Sequence, residues 1–361
     1  ETFSCDFLIS CGGYFNHDEA YRPDFPGEER FKGTVIHPQF WGPEHDSCYQ
    51  GKRVAIIGSG ATAITLLPAM ADRGAAHVTM VQRTPTYIYE KPESDPVARL
   101  AARCLSDQSS HDFMRWFNTM VQWVLYFGAQ RWPDPFNKYI LSRMWRRVQG
   151  SMSKEEFTKH FVPPYNVWDQ RLCVVPDGDF YKALRDGFAS VVTGHIETFT
   201  EDGIQMKDGQ HVPAEVIITA TGLSLQRNFP MSTMNVTVDG KPYDVREKMT
   251  YKSVMLSGVP NFAFTFGYTN ASWTLKADIA SNFICRVLNH MRDNGFAVCC
   301  PQPGPSAEAN GRDFLNLSSG YVERAKERMP KQGARDPWRM TQNVIADTMQ
   351  LRWGRIADPE L

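Results

Sequence analysis

Three features are scarce in this sequence: paired cysteines, long apolar runs and an excess of either charge. The eight cysteines include no C-x-x-C pair, and only Cys299 and Cys300 are adjacent. Such thiols are typical of reduced cytosolic proteins, so a disulfide framework is excluded and no metal site is expected. The most apolar stretch, residues 117–127, is too short to span a bilayer. Lys and Arg number 39 against 40 Asp and Glu, which predicts no nucleic-acid partner.

What remains is a globular composition. Of the 361 residues, 42% are hydrophobic and 22% are charged, which excludes disorder and coiled coil. The length corresponds to about two domains. The chain opens at Glu1 and enters an apolar strand pattern at residues 7–9. We therefore expect that a segment of the natural protein precedes this sequence.

Residues 52–83 have the pattern of a βαβ unit. A β-rich run at 52–57 leads into a glycine turn, a helical pattern over 61–71 and a second β-rich run at 77–81. The turn reads G-S-G-A-T-A and fits the dinucleotide-binding pattern G-x-G-x-x-A.

Each small residue of this turn has a physical role in holding a pyrophosphate. Gly58 permits the tight turn, Gly60 lets the backbone approach the ligand, and Ala63 permits close packing of helix on strand. The anion would lie on free N–H groups at the helix N-terminus. An ordinary tight turn is the alternative. The residues predicted to bind the cofactor here are Gly58, Ser59, Gly60, Ala61, Thr62 and Ala63.

The end of the second strand indicates which dinucleotide is bound. An NAD site usually has a carboxylate at this place, but here Arg83 and Thr84 follow the strand, and the first acid is Glu90. Arginine pairs with a 2′-phosphate through charge-assisted hydrogen bonds. Arg83 and Thr84 therefore favour NADPH over NADH, the alternative being that Arg83 is an ordinary surface residue.

Residues 92–161 are predicted to form a helical insertion that contains four tryptophans. The simplest interpretation is a small helical core. Its basic stretch at 143–147 is typical of a solvated helix end. The aromatic helices also indicate an apolar substrate or a weak contact with a membrane surface.

The rest of the chain alternates between the two types of element. Further strands are predicted at residues 189–192, 196–200, 204–206, 211–213, 216–219 and 262–266. The turn Lys207-Asp208-Gly209 is expected to join 204–206 and 211–213 as a hairpin. Helices are predicted over 179–186 and 273–291, and the basic tail, 321–355, is predicted to be helical as well.

Residues 31–41, F-K-G-T-V-I-H-P-Q-F-W, resemble a known signature. It is the F-x-G-x-x-x-H-x-x-x-W motif of class B flavoprotein monooxygenases, and of Baeyer–Villiger monooxygenases in particular. Phe31, Gly33, His37 and Trp41 occupy its four fixed positions. A satisfied core histidine would be the alternative if His37 stood by itself.

Further runs along nearly the whole chain resemble the mycobacterial ethionamide-activating subgroup of that family. They include Y-N-V-W-D-Q-R-L at 165–172, F-G-Y-T-N-A-S-W-T-L-K-A-D at 266–278 and P-K-Q-G at 330–333.

The resemblance implies an α/β fold of two Rossmann-like domains, with an NADPH domain inserted in a FAD domain. Residues 1–45 would be a FAD-domain portion and linker, and 46–215 the NADPH domain with its helical insertion at about 92–161. Residues 216–361 would be the C-terminal part of the FAD domain. The FAD fingerprint of the family belongs before residue 1, so the FAD domain is expected to be incomplete in this sequence.

The resemblance also implies the activity and the cofactors, FAD and NADPH. NADPH would reduce FAD, and the reduced flavin would capture O₂ as a C4a-(hydro)peroxyflavin. One oxygen would then enter a small apolar ketone, giving an ester or lactone, or pass to a thioether, thioamide or amine. The enzyme is expected in the cytoplasm, with weak attachment to membranes.

The implied catalytic residue is Arg171, which lies in the Q-R-L run. An arginine stays charged when it is partly buried and would stabilise an anion next to the flavin. Asp169 or Asp179 would orient it. A structural ion pair is the alternative for Arg171.

The implied FAD contacts are Asn270 and Ser272, next to the ring edge and the following helix N-terminus. Thr221 and Gly222 would lie where the chain returns to the FAD domain. His37, with the rest of its motif, would act as a hinge that couples cofactor binding to domain rotation.

Three alternatives stay open. A flavin disulfide reductase would need a redox cysteine pair, which the sequence lacks. An N-hydroxylating or S-oxygenating enzyme without Baeyer–Villiger activity would share all these parts. A non-catalytic NADPH-binding fragment would hold no flavin.

Overall fold

The computed structural model describes residues 1–170, 172–226, 229–231, 234–304, 311–315 and 319–361. Within them the chain forms two compact units. The terminal unit comprises residues 1–19, 119–123 and 224–361, and the central unit comprises residues 20–118 and 124–223.

The elements are numbered in chain order through the described residues. The helices are α1 (Ala61–Asp72), α2 (Pro96–Cys104), α3 (Asp107–Arg131), α4 (Pro133–Val148), α5 (Lys154–Phe161), α6 (Asp179–Arg185), α7 (Trp273–Asn294), α8 (Gly320–Glu323) and α9 (Val344–Asp347). The strands of the first half are β1 (Leu8–Ser10), β2 (Phe15–Ala20), β3 (Thr34–Ile36), β4 (Arg53–Ile57), β5 (His77–Gln82), β6 (Ile88–Lys91), β7 (Cys173–Pro176), β8 (Ala189–Thr193), β9 (Ile196–Thr200) and β10 (Gly203–Met206). Those of the second half are β11 (His211–Pro213), β12 (Val216–Thr219), β13 (Leu223–Leu225), β14 (Thr237–Val238), β15 (Lys241–Pro242), β16 (Thr250–Tyr251), β17 (Met255–Leu256), β18 (Phe262–Phe264), β19 (Arg312–Asp313) and β20 (Lys331–Gln332).

The central unit is built on a five-stranded parallel sheet in the order β3-β12-β4-β5-β8. Its central strands, β12 and β4, are nearly continuous apolar runs because both faces are covered. Ile64 and Leu67 of α1 are fully buried on one face. Phe199 and Ile204, from the antiparallel sheet β11-β10-β9, are fully buried on the other. The predicted βαβ unit, β4-α1-β5, is confirmed, as is the hairpin β10-β11.

The predicted helical insertion is also confirmed, as α2 to α5. Of these helices, α4 buries Ile140, Met144 and Val148 in the core that also contains α1. By contrast, α3 buries only Ser110 and Ala129 although it is 25 residues long. No helix in the described ranges is long and apolar enough to cross a membrane.

The terminal unit contains a four-stranded sheet in the order β1-β18-β17-β16, in which only β1 and β18 are parallel. The smaller pairs are β2 with β13, β14 with β15 and β19 with β20. Helix α7 packs with Ile279, Phe283 and Val287 buried. It confirms the helix predicted over residues 273–291.

The tail does not form the helix predicted over residues 321–355. The described part contains short α8 and α9, the strand β20, a 3₁₀ turn at Lys326–Arg328 and a π-helical turn at Thr348–Trp353. Pro330 and Pro337 remove backbone donors, and Gly333 lowers helix propensity between them, so a continuous helix cannot form.

Candidate functional site

The glycine turn of the central unit has the geometry of a helix end open to an anion. Gly58 has a φ of 133°, which only glycine adopts readily, and a β-carbon there would collide with the carbonyl oxygen of Ala220. Its N–H donates to the Val81 carbonyl at 2.8 Å. Gly58 therefore fixes the turn between β4 and α1.

Gly60, by contrast, has free space at its side. Apart from Gly60 itself and its two chain neighbours, no described residue has an atom within 4 Å of where its β-carbon would be. Helix α1 begins after Gly60 without a side-chain cap. Its first residues, Ala61 and Thr62, are exposed, while Ala63 is fully buried against the sheet. A pyrophosphate fits this space, since the uncapped N–H groups and the helix dipole both favour an anion.

The turn is tied to the segment after β5. The Ser59 hydroxyl donates to the Thr84 carbonyl at 2.9 Å. Arg83, between that strand and Thr84, is exposed, and its guanidinium makes no ion pair within the described residues. The structure thus brings Ser59, Thr84 and the glycine turn together, and the exposed Arg83 precedes Thr84 in the chain.

The motif at residues 31–41 lies in the same unit, along and after β3. A β-carbon at Gly33 would collide with the Glu215 carbonyl oxygen, so glycine is required there. The Phe31 ring packs edge-on against Phe199, 6.3 Å between centroids. The Trp41 indole Nε1 donates to Asp46 Oδ1 at 2.9 Å. These three motif residues have local structural roles.

His37 differs from them. Its Nδ1 accepts a hydrogen bond from the Gln39 backbone N–H at 3.1 Å, so a neutral ring carries its proton on Nε2. That Nε2 is buried, and no acceptor in the described part of the chain has hydrogen-bond geometry to it. Burial lowers the pKa of His37, which the backbone of Gly222 opposes only in part. The ring is therefore neutral at pH 7.

Thr221 and Gly222 follow β12, and the glycine turn follows β4. Because these two strands are parallel, both segments lie at the carboxyl ends of the strands. The Thr221 hydroxyl donates to the Tyr21 carbonyl at 2.8 Å, and Gly222 has a φ of 114°. Ala220, just before them, is the residue that approaches Gly58. The A-T-G run and the glycine turn are therefore neighbours.

Arg171 lies outside the described residues. Of the two carboxylates expected to orient it, Asp169 accepts from the Asn166 N–H at 3.0 Å, and Asp179 accepts from the Phe180 N–H at 2.7 Å. Burial raises the pKa of Asp179. Both carboxylates thus cap local backbone, and the choice between them stays a prediction.

Trp168, in the same run, is a residue that the sequence reasoning missed. It adopts a φ of 77°, which is strained for a bulky side chain. Its indole packs edge-on against Tyr126, and its Nε1 is buried without a hydrogen-bond partner among the described residues. Nothing in the local sequence indicates this conformation.

In the terminal unit, the loop between β18 and α7, which we call the Asn270 loop (residues 266–272), contains a further buried polar group without a partner among the described residues. Asn270 is 9% exposed and donates through Nδ2 to the Gln342 carbonyl at 2.9 Å. Its own carbonyl accepts from Gln122 Nε2 at 2.8 Å. The side-chain Oδ1 is buried and has no partner in the described part. Such an acceptor fits an N–H group of a bound ring.

Ser272 does not share this environment. It precedes α7 and is exposed, and its hydroxyl pairs with that of Thr274 at 2.9 Å without capping the helix. Within the described residues, no cluster of His, Cys, Asp and Glu could hold a metal ion.

A parallel sheet with a glycine turn leading into an uncapped helix defines a dinucleotide-binding α/β protein.

Comparison with known proteins identifies the family within this class. Residues 2–242 match the flavin-binding monooxygenase-like (FMO-like) family. The chain is 48% identical over 361 residues to the FAD-containing monooxygenase EthA of Mycobacterium tuberculosis, covering all of this chain and 72% of that protein.

Solved structures agree on the fold. A steroid monooxygenase bound to NADP superposes with a TM-score of 0.61 at 19% identity, and OTEMO in complex with FAD and NADP with a TM-score of 0.58 at 21% identity. Each match covers 84% of this chain and 64% of the solved chain. The chain therefore spans about two thirds of the structures that it resembles.

The chain belongs to the FMO-like family of flavin-binding monooxygenases. The prediction of an α/β fold related to the two-domain Baeyer–Villiger monooxygenases is confirmed. The domain boundaries and the roles of the individual site residues stay predictions.

Proposed function

We propose that this protein is an FAD- and NADPH-dependent monooxygenase. It would insert one oxygen atom of O₂ into small apolar ketones, giving esters or lactones, and oxygenate sulfur or nitrogen centres. The overall reaction consumes substrate, O₂, NADPH and a proton, and it releases oxygenated product, water and NADP⁺. The flavin supplies the O₂ chemistry when it is bound.

One observation carries this proposal: the free space at Gly60 beside an uncapped helix end, in a chain of the flavin-binding monooxygenase family. There the backbone N–H groups of Gly60, Ala61 and Thr62 would hold the pyrophosphate of NADPH. Arg83 would hold the 2′-phosphate, with Thr84 beside it. Ser59 would keep the turn in place through its bond to Thr84.

The flavin would be held in part by the Asn270 loop. The unpartnered Oδ1 of Asn270 would accept from a ring N–H, and the start of α7 after Ser272 would face the ring with its positive dipole end. Arg171 would supply the fixed cation for the oxygenation step. Thr221, Gly222 and the His37 motif would connect the cofactor regions.

The test uses the protein expressed from its complete gene. We expect a yellow protein that oxidises NADPH faster than NADH and transfers labelled oxygen from ¹⁸O₂ to a cyclic ketone. A colourless protein that ignores NADPH would overturn the proposal. Label in a thioether or amine product but never in a ketone product would instead favour the S- or N-oxygenating alternative.

We further propose that the enzyme acts in the cytoplasm and docks weakly on anionic phospholipid surfaces through α2 to α4. Trp116, Val124 and Phe127 of α3 are 62%, 57% and 52% exposed, as is Leu100 of α2 at 63%. Residues 96–148 carry eight Lys and Arg against three Asp and Glu, although the chain as a whole has a net charge of −1. Apolar side chains with basic neighbours are typical of helices that lie in a membrane interface.

Vesicle sedimentation tests the docking. The double variant Trp116→Glu/Phe127→Glu should lose binding to vesicles that contain phosphatidylglycerol, and the unmodified protein should bind pure phosphatidylcholine only weakly. Trp353→Glu is the matched control, since Trp353 is 72% exposed but lies in the terminal unit. Equal binding of all three proteins would refute the docking face.

A further inference from the structure

The Asn270 loop is held by a segment that no sequence motif pointed to: residues 341–347, here the clamp segment. Asp347 is 3% exposed, and its carboxylate accepts three hydrogen bonds. The donors are the Tyr268 hydroxyl at 2.6 Å, Lys276 Nζ at 2.8 Å and the Thr341 hydroxyl at 2.6 Å. One carboxylate thereby joins the loop, the first turns of α7 and the clamp segment.

The Lys276–Asp347 pair is a buried ion pair. Lys276 is 3% exposed, and burial lowers the pKa of its ammonium group, while Asp347 acts in the opposite direction. A buried pair adds little net stability compared with apolar side chains of similar size, but it fixes its partners in one arrangement. In this structure the pair ties α7 to the clamp segment, while Tyr268 ties the Asn270 loop to the same carboxylate.

Gln342 supplies the second attachment. Its Oε1 accepts from the Thr269 N–H at 2.9 Å and from the Thr269 hydroxyl at 3.1 Å. Its backbone carbonyl accepts from Asn270 Nδ2 at 2.9 Å. Gln342 adopts a φ of 47°, a left-handed conformation that is uncommon for a residue with a side chain. These bonds fix Thr269 and Asn270 in place.

The orientation of the Asn270 amide follows from this attachment. Because Nδ2 donates to the Gln342 carbonyl, Oδ1 must face the other way, where it has no partner among the described residues. We propose that Asp347 and Gln342 are positioning residues, which hold the Asn270 loop so that Asn270 Oδ1 accepts from an N–H of the flavin ring. This inference rests on the proposed function.

The experiment compares the buried Lys276–Asp347 pair with the Lys252–Asp358 pair, in which the lysine is buried and the carboxylate is 22% exposed, in the protein expressed from its complete gene. Asp347→Asn keeps the shape of the side chain but removes its charge. Lys252→Met is the matched control, since the side chains of Lys252 and Lys276 are both 4% exposed. Lys252 pairs with Asp358 at 3.8 Å, and its ammonium group also donates to the Arg355 carbonyl and lies over the rings of Tyr251 and Phe283, all outside the Asn270 loop.

Three quantities are measured: the Kd for FAD on reconstitution of apoprotein, the visible circular dichroism of the bound flavin, and the midpoint of denaturant unfolding. We expect Asp347→Asn to weaken FAD binding by about tenfold or more, which corresponds to about 1.4 kcal/mol, and to change the flavin dichroism. Lys252→Met should lower the unfolding midpoint and leave both flavin signals unchanged.

Tyr268→Phe is the milder second variant, because it removes one bond to Asp347 and leaves the ion pair intact. It should weaken FAD binding with little change in the unfolding midpoint. If Asp347→Asn does not fold, Tyr268→Phe tests the clamp by itself. Wild-type FAD binding by both Asp347→Asn and Tyr268→Phe would overturn the clamp alone, as would an equal loss of FAD binding in Lys252→Met. A parent protein that binds no FAD would overturn the proposed function and the clamp with it.

Discussion

Two glycines of one turn, Gly58 and Gly60, should respond in opposite ways to the same added methyl group. Gly60 has a φ of −78° and a ψ of 179°, which any residue adopts, and its side faces free space. Gly58 has a φ of 133° and lies against Ala220. The pair of variants Gly60→Ala and Gly58→Ala therefore separates ligand binding from folding.

The expected cost to stability follows from these angles. Gly60→Ala reduces the entropy of the unfolded chain, which stabilises by about 0.4–1 kcal/mol, and makes a poorer helix cap, which costs roughly 0.5–1 kcal/mol. Its free energy of unfolding should stay within about 1 kcal/mol of the parent. Gly58→Ala should lose about 1–3 kcal/mol from backbone strain, and more from its collision with Ala220.

The expected effect on binding differs. The methyl group of Gly60→Ala would occupy the space where a pyrophosphate approaches the backbone, so we expect the Kd for NADPH to rise at least tenfold, about 1.4 kcal/mol. Titration calorimetry gives the Kd, and urea unfolding gives the stability. Unchanged NADPH affinity in Gly60→Ala, with the fold intact, would refute a dinucleotide site at this helix end.

The other expectations concern charge and protonation. Arg83→Gln should raise the Kd for NADPH and leave that for NADH unchanged; equal changes in both would argue against a 2′-phosphate contact. Burial lowers the pKa of His37 in the folded protein, so the folded state favours the neutral ring. Because the unfolded chain binds the proton first, the free energy of unfolding should fall as the pH drops below about 6.5, the pKa of histidine in the unfolded chain. His37→Gln should reduce that acid sensitivity, measured as unfolding midpoints between about pH 5 and 8, and an unaltered profile would contradict it. Arg171→Ala should keep NADPH binding but form no oxygenated product, and full product formation would remove Arg171 from the mechanism.

The sequence pattern predicted an element correctly where a few consecutive residues are enough to form it. The βαβ unit at 52–83 and the turn at Lys207, Asp208 and Gly209 were predicted correctly, because apolar periodicity and glycine placement are properties of a few consecutive residues. The helix predicted over residues 321–355 was wrong. The segment is rich in residues that favour helices, but Pro330 and Pro337 each interrupt a helix.

By itself, then, the sequence determined the parallel sheet core, the open helix end at Gly60 and membership of a flavoprotein family, since each depends on short runs of residues with fixed spacing. Only the tertiary structure decided what surrounds them. The collision that requires glycine at Gly58 involves Ala220, far along the chain, and the direction of Asn270 Oδ1 follows from the bond of its Nδ2 to the Gln342 carbonyl, 72 residues away. Such contacts leave no periodic trace in the sequence, because they join side chains that only the folded chain brings within hydrogen-bond distance.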